Sequence, residues 1–238
     1  MAVPHALLAD LETARRTNIR LFVSFTGASQ YLVDASGFSI RKWKERVDRF
    51  RQLDLSSYIA DGTIFGHFLL DEPSDPANWN GHVVSLSDIK EMARYSKEIW
   101  PTMTTMIRAW PDFLKGSQYP DLDAVRVQYH VRFGDINQFI EKNARLAKDL
   151  GLALVGGLNV TKGGGAQSGL PPFERGRYPM NASQVRSYGS RFLSEPSVCG
   201  FVLWDYRADY FGRTDIKVAM EELTRQARNL PNRPCRHH

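Results

Sequence analysis

The stretch Gly66-His67-Phe68-Leu69-Leu70-Asp71-Glu72-Pro73 is an apolar run that ends in two adjacent carboxylates and a proline. A run of this kind predicts a strand buried on both faces, and Pro73 cannot continue its hydrogen-bond ladder. Asp71 and Glu72 are therefore expected where the strand leaves the sheet. In an α/β barrel the carboxyl ends of the strands form the active-site rim, so we interpret the pair as catalytic groups. The alternative is that they cap the next loop by binding backbone amides.

The rest of the chain alternates between strand-like and helix-like segments. Short runs rich in β-branched and aromatic residues are separated by segments with an apolar period of 3.6. This alternation predicts an α/β fold with parallel strands joined by right-handed crossovers. The predicted strands are 20–26, 63–70, 104–108, 124–131, 153–160 and 199–206, and the predicted helices are 4–16, 39–53, 87–100, 135–150, 181–193 and 216–229.

The number of strands bears on the architecture. A (β/α)8 TIM barrel needs eight strands, whereas only about six βα units are visible and the chain opens with a helix. We expect a TIM-barrel-like fold whose first one or two units are absent, as in a fragment or a truncated gene. A complete open sheet of six strands is the alternative. The 238 residues fit a single domain over 1–230. A disordered tail is expected over 231–238, with His237-His238 as a tail or tag remnant.

Composition excludes several functional classes. The formal charge is +5, from 31 Lys and Arg against 26 Asp and Glu, but both signs are mixed on the helices, so no nucleic-acid partner is expected. No apolar stretch is long enough to span a membrane, and the start lacks the pattern of a signal peptide, so no membrane partner is expected and the localisation stays open. Cys199 and Cys235 predict neither a disulfide framework nor a zinc site. Self-association is expected if an incomplete barrel exposes its edge strands.

Polar and aromatic residues collect at the predicted strand ends. Because side chains alternate along a strand, only about half of them can point into the mouth of a barrel. Arg108 ends an apolar strand and would be costly to bury unless a carboxylate such as Asp71, Glu72 or Asp205 pairs with it. The candidate residues are Ser24, Thr26, Asp71, Glu72, Arg108, Trp110, Tyr129, His130, Arg132, Asn159, Trp204, Asp205 and Tyr206.

Other kinds of site are less well supported by the residues. His67 lies four residues before Asp71, roughly 13 Å away in an extended strand, too far for both to bind one ion, so no metal is expected. No Gly-x-Ser-x-Gly elbow is present, and the glycine run 163–165 indicates flexibility or a tight turn rather than a phosphate site. No cofactor is expected. The remaining chemistry is that of carboxylates: a protonated acid and an ionised partner, as glycoside hydrolysis needs.

Two segments carry a resemblance to known proteins. Residues 65–73 resemble the acid/base strand of TIM-barrel glycoside hydrolases, which ends in Asn-Glu-Pro or a variant such as Asp-Glu-Pro, and 201–206 look like their last strand. Together with 122–129 and 157–159, these segments resemble an uncharacterised bacterial family of glycosidase-like barrels over almost the whole chain. Members typically carry an extra N-terminal strand region. The resemblance implies that Glu72 is the general acid/base. The large retaining clan of these hydrolases has a nucleophilic Glu where this chain has Asn159.

These observations together predict a glycosidase-like barrel that cleaves O-glycosidic bonds in a polysaccharide or oligosaccharide. Glu72 is the expected proton donor. Asp205 could be the second carboxylate, with inversion if the carboxyl groups lie roughly 6.5 to 9.5 Å apart, or Asp71 could act with Glu72 and substrate assistance. A third possibility is a carbohydrate-binding barrel without catalysis. The expected substrate-binding residues are Arg108, Tyr129, His130 and Asn159, with Trp79, Trp110 and Trp204 either stacking on sugar rings or packing in the core.

Overall fold

The computed structural model describes residues 3–235. The strands are β1 (Leu21–Val23), β2 (Val33–Asp34), β3 (Gly37–Phe38), β4 (Ile64–Asp71), β5 (Thr105–Arg108), β6 (Ala124–Arg126), β7 (Ala153–Asn159) and β8 (Val198–Trp204). The helices are α1 (Pro4–Arg16), α2 (Ile40–Asp48), α3 (Ser56–Ala60), α4 (Leu86–Ile99), α5 (Ile136–Asp149), α6 (Ala182–Ser194), α7 (Ala208–Phe211) and α8 (Thr214–Arg228).

The main sheet has the order β1-β4-β5-β6-β7-β8. Neighbours pair in parallel where β1 meets β4, β4 meets β5 and β7 meets β8. The six predicted strands are therefore confirmed, and they alternate with helices as expected for a TIM-barrel-like α/β fold. The antiparallel β2/β3 hairpin was not predicted, because strands of two residues are too short to show a periodic pattern.

The chain divides into two compact units, Met1–Val125 (unit 1) and Arg126–His238 (unit 2). The single domain over 1–230 stays a prediction.

In unit 1, β4 is held by a buried aromatic cluster. The ring of His67 packs against the rings of Phe25, Trp43 and Trp100. His67 Nδ1 lies 2.8 Å from the hydroxyl of Ser96, and burial lowers the pKa of His67 to about 3. The imidazole is thus a neutral core group at pH 7, four residues before the carboxylates.

In unit 2, β7 is the most deeply buried strand, and α6 packs directly on it. A Cβ atom added at Gly156 would lie 2.4 Å from the ring of Phe192 on α6, so only glycine allows this close approach. Helix α6 begins with a capping box between Asn181 and Gln184. Helix α5 follows its N-cap, Asp135, the first residue of the predicted helix, and the Asp135 carboxylate accepts two backbone N–H groups.

Strand β8 lies at the edge of the sheet and is less buried than β7. Cys199 on β8 forms a disulfide bond with Cys235, so the prediction of no disulfide is wrong. Arg233 also donates to the carbonyls of Leu193 and Glu195. Residues 231–235 of the predicted disordered tail are thus attached to unit 2, whereas His237-His238 lie outside the described residues. Within 3–235, no helix is both long and apolar enough to cross a bilayer.

Candidate functional site

The two adjacent carboxylates lie where β4 leaves the sheet. Asp71 is the last residue of β4 and is paired in register with Arg108 of β5. The N–H of Glu72 donates to the carbonyl of Arg108 at 2.9 Å. Glu72 has φ of +46°, a left-handed conformation that non-glycine residues adopt rarely and that occurs often at functional sites. The backbone therefore turns at Glu72, just before Pro73.

The guanidinium of Arg108 pairs with both acids. It contacts both carboxylate oxygens of Asp71, and its Nη2 lies 2.8 Å from Glu72 Oε1. The Arg108 side chain is only 16% exposed, whereas those of Asp71 and Glu72 are 44% and 45% exposed. The predicted pairing of Arg108 with a carboxylate is confirmed. Both acids remain open to solvent, while the cation that holds them is largely buried.

Trp79 binds the backbone of Glu72. Its ring is 1% exposed, packs edge-on against Phe38, and donates its indole N–H to the carbonyl of Glu72 at 2.9 Å. Trp79 is therefore a packing residue, as in the alternative stated above, and is not available for stacking on a sugar. Trp110, which follows β5, is 40% exposed.

In unit 2, a second carboxylate follows β8. The hydroxyl of Thr161 donates to Asp205 Oδ1, and Thr161 itself is fully buried. Asn159 ends β7 and accepts the N–H of Lys162 at 3.0 Å through its side-chain oxygen. Trp204 is 44% exposed beside Asp205. Thr161 was missed in the sequence analysis, although its place directly after the end of the predicted strand 153–160 was a signal for it.

Tyr129 and His130 follow β6. Tyr129 is buried, its hydroxyl donates to the carbonyl of Gly134, and burial raises its pKa to about 12. That hydroxyl donates within the fold, and its role in holding a substrate hydroxyl stays a prediction. His130 is partly exposed, and its Nδ1 accepts the N–H of Arg132. Burial, followed by the charges of Arg132 and Arg177, lowers the pKa of His130, so the ring is neutral at pH 7.

The segment between β7 and α6, residues 160–181, folds back on the end of β7. The N–H of Met180 donates to the carbonyl of Val160 at 2.7 Å, and that of Gly164 to Tyr178 at 2.9 Å. A Cβ atom at Gly164 would lie 2.2 Å from the carbonyl oxygen of Pro179. The glycine run therefore allows close backbone packing, in agreement with the predicted tight turn.

No group of three or more His, Cys, Asp or Glu side chains within residues 3–235 is arranged to hold a metal ion. The groups that the structure offers for chemistry at the strand ends are carboxylates, a guanidinium, an amide and hydroxyls.

Comparison with known proteins adds to this description. No family model and no curated protein sequence matches the chain. Solved structures that resemble it include a glycoside hydrolase family 5 mannosidase from Rhizomucor miehei (TM-score 0.56, 11% identity, 91% of this chain and 74% of that chain); a putative α-L-fucosidase from Bacteroides thetaiotaomicron (0.58, 10%, 96% and 74%); and an endocellulase from Pyrococcus horikoshii (0.58, 11%, 93% and 73%). At these identities the likeness shows the fold alone, a TIM-barrel-like α/β fold.

Proposed function

We propose that this protein hydrolyses O-glycosidic bonds in a polysaccharide or oligosaccharide, with Glu72 as the residue that transfers the proton. The observation that carries the proposal is the pair of partly exposed acids Asp71 and Glu72 at the carboxyl end of β4, both ion-paired with Arg108. The fold likeness adds support, since the similar structures include a mannosidase and an endocellulase solved with cellotetraose. Because a fold alone does not determine activity, the site residues bear most of the argument.

Glu72 is the better of the two adjacent acids for proton transfer. Arg108 contacts it through one nitrogen, and Trp79 and the Arg108 carbonyl hold its backbone. To act as an acid, Glu72 must carry a proton, which an ion pair does not allow. We therefore propose that bound substrate leaves Arg108 paired with Asp71 alone. Released from Arg108, Glu72 takes a proton from water and gives it to the glycosidic oxygen as the bond from that oxygen to the anomeric carbon breaks.

The second carboxylate is Asp205 or Asp71. Asp205 accepts a hydrogen bond from a neutral hydroxyl, that of Thr161, and so is suited to act as a base on water. In the alternative, Asp71 orients a substrate group that itself attacks the anomeric carbon. Both oxygens of Asp71 are bound by Arg108, which makes Asp71 the weaker candidate for a base.

A carbohydrate-binding barrel without catalysis is the second candidate function. Two observations favour it: Glu72 is engaged in an ion pair, and β7 ends in Asn159, where the retaining hydrolases that the chain resembles have a nucleophilic Glu.

The test is release of reducing ends across a panel of polysaccharides. We expect Glu72→Gln to lower kcat by about 10²–10⁴-fold without loss of fold, because the amide cannot donate the proton in the same way. Asp75→Asn, a change of the same type on the neighbouring loop, should leave kcat within about twofold, since Asn also caps well. Binding without cleavage by the wild type supports the second candidate. If no saccharide is bound or cleaved, the carbohydrate assignment itself is wrong.

A further inference from the structure

Five basic residues lie on segments that follow β6, β7 and β8 in unit 2. We call them the basic cluster. Lys162 follows β7 by three residues and binds Asn159 through its backbone N–H, and Arg207 follows Trp204, the last residue of β8, by three residues. The cluster therefore lies at the same strand ends as Asp205. Its members are Arg132, Lys162, Arg175, Arg177 and Arg207.

Electrostatic contacts join three members of the cluster, Lys162, Arg177 and Arg207, to one carboxylate. Lys162 Nζ lies 2.6 Å from Glu174 Oε1. This hydrogen bond is the main reason that the pKa of Glu174 is lowered, and the charges of Lys162, Arg177 and Arg207 lower it further. Arg207 also interacts with Asp209 and Asp205. One carboxylate, Glu174, thus lies among three cations, and one of these also acts on Asp205.

Carboxylates offset only part of this positive charge. Lys162 pairs with Glu174, and Arg207 pairs with Asp209 at 2.9 Å. Arg175 and Arg177 are exposed, and neither forms an ion pair with any residue in 3–235. Their positions are held by backbone bonds, because the N–H of Arg177 donates to the carbonyl of Glu174 at 2.8 Å and that of Phe173 to Arg177 at 3.1 Å. His130, which Arg132 and Arg177 face, adds no negative charge. The cluster therefore has cationic groups available for an anion.

We propose that the saccharide taken by this protein is anionic, bearing carboxylate or sulfate groups that the basic cluster binds beside Asp205. This inference rests on the proposed function, because it names the substrate class for that site. Guanidinium groups bind carboxylate and sulfate oxygens through pairs of N–H donors, which a neutral sugar does not match in charge. Arg177 is the central residue, since its backbone N–H binds the carbonyl of Glu174 at 2.8 Å and its charge acts on both Glu174 and His130.

The test compares matched pairs of saccharides, in which one member is neutral and the other carries anionic groups. The pairs are cellohexaose and 6-carboxylated cellohexaose, methyl-esterified polygalacturonate and free polygalacturonate, and dextran and dextran sulfate. The affinity of the full chain for each is measured by titration. For at least one pair we expect the anionic member to bind about tenfold more tightly at low salt, and 0.5 M NaCl to reduce this ratio. The first two pairs report on carboxylate, and the third on sulfate.

Variants show whether the cluster causes the preference. Arg177→Gln should reduce the anionic-to-neutral affinity ratio to about twofold, whereas Arg145→Gln, which removes an exposed arginine from α5 in the same unit, should leave the ratio unchanged. Equal affinity for both members of every pair overturns the inference, and so does an unchanged affinity ratio in Arg177→Gln. The proposed function survives either result if a neutral saccharide is bound or cleaved. Equal binding of poly-glutamate shows a general polyanion surface and also overturns it. If no saccharide binds, the proposed function fails, and this inference fails with it.

Discussion

The strand ends of the two units hold their acids by different means. In unit 1, Asp71 and Glu72 share one largely buried cation, Arg108, which is on the neighbouring strand. In unit 2, Asp205 is held by the hydroxyl of Thr161, and the cations lie in the surrounding segments. A charge partner within the sheet neutralises an acid and fixes it, whereas a hydroxyl fixes an acid and leaves its charge. The second arrangement suits a general base, and the first requires Arg108 to release Glu72 before Glu72 can act as an acid.

The units also differ in how their strands are secured. Unit 2 has the disulfide bond from edge strand β8 to Cys235. Unit 1 instead surrounds β4 with aromatic rings and a buried neutral His67. A covalent link stabilises by restricting the unfolded chain, while a buried histidine makes stability depend on pH.

The largest effect that we expect from this comparison is on turnover. Asp205→Asn should lower kcat at least about 100-fold, since it removes the base. Asp71→Asn should cost less, about tenfold, because it removes only the carboxylate with which Arg108 stays paired when it releases Glu72. The measurement is kcat and KM for both variants on the substrate that the panel identifies. The reverse order would assign the second carboxylate to Asp71, with substrate assistance.

The disulfide bond should give the next largest effect. Its cysteines are 36 residues apart in sequence, and loss of a loop closure of this size costs about 2–4 kcal/mol of unfolding free energy. We expect reduction of the wild type to lower its free energy of unfolding, measured in urea, by this amount. The Cys199→Ser/Cys235→Ser variant should unfold like the reduced wild type and be unaffected by the reductant. A wild type that does not respond to reductant would contradict the cross-link.

The buried histidine should make unit 1 sensitive to acid. The pKa of His67 is about 3 in the fold, so below about pH 6.5 the unfolded chain binds a proton that the folded chain does not. His67 alone should therefore lower the unfolding free energy by about 2 kcal/mol between pH 7 and pH 5. We expect His67→Phe to flatten this part of the pH profile relative to wild type. His82→Gln, at an exposed position, should leave it unchanged.

The smallest effect concerns the support of Asp205. Thr161→Val keeps the shape of the buried side chain but removes the hydrogen bond, and should cost about 1 kcal/mol of unfolding free energy. Thr161→Ser keeps the hydroxyl and should therefore lose less unfolding free energy than Thr161→Val. The comparison of the two variants by urea unfolding separates the hydrogen bond from packing, and equal losses would show that the hydroxyl contributes little.

Much of the fold was predictable from local patterns. The six strands of the main sheet match the predicted runs, and α1, α4, α5 and α6 lie within one or two residues of their predicted bounds, because burial of one face imposes a regular apolar period. The short helices α3 and α7 were missed, since four or five residues carry no detectable period. The N-cap of α4 is Ser85, two residues before the predicted start of this helix at residue 87.

The candidate site was predicted less completely. The pairing of Arg108 with acids followed from the high cost of burying an unpaired charge, and the structure confirms it. Tyr129 was assigned to substrate, and Trp79 was left open between stacking on a sugar and core packing; both are buried and use their polar atoms within the fold. The alternation of side chains along a strand identifies two faces but does not tell which face is exposed to solvent. The residues that bury an aromatic ring such as Trp79 come from distant parts of the chain, so its burial cannot be read from neighbouring residues.

The amino-acid order of this protein was enough to determine the alternation of strands and helices, and the placement of Asp71 and Glu72 at a strand end, because these depend on neighbours within a few residues. Only the tertiary structure decided that Cys199 meets Cys235, that Thr161 supports Asp205, and that Lys162, Arg177 and Arg207 surround Glu174. Those contacts join residues 12 or more positions apart in all but one case, and the packing of whole elements, which no local pattern encodes, brings them together.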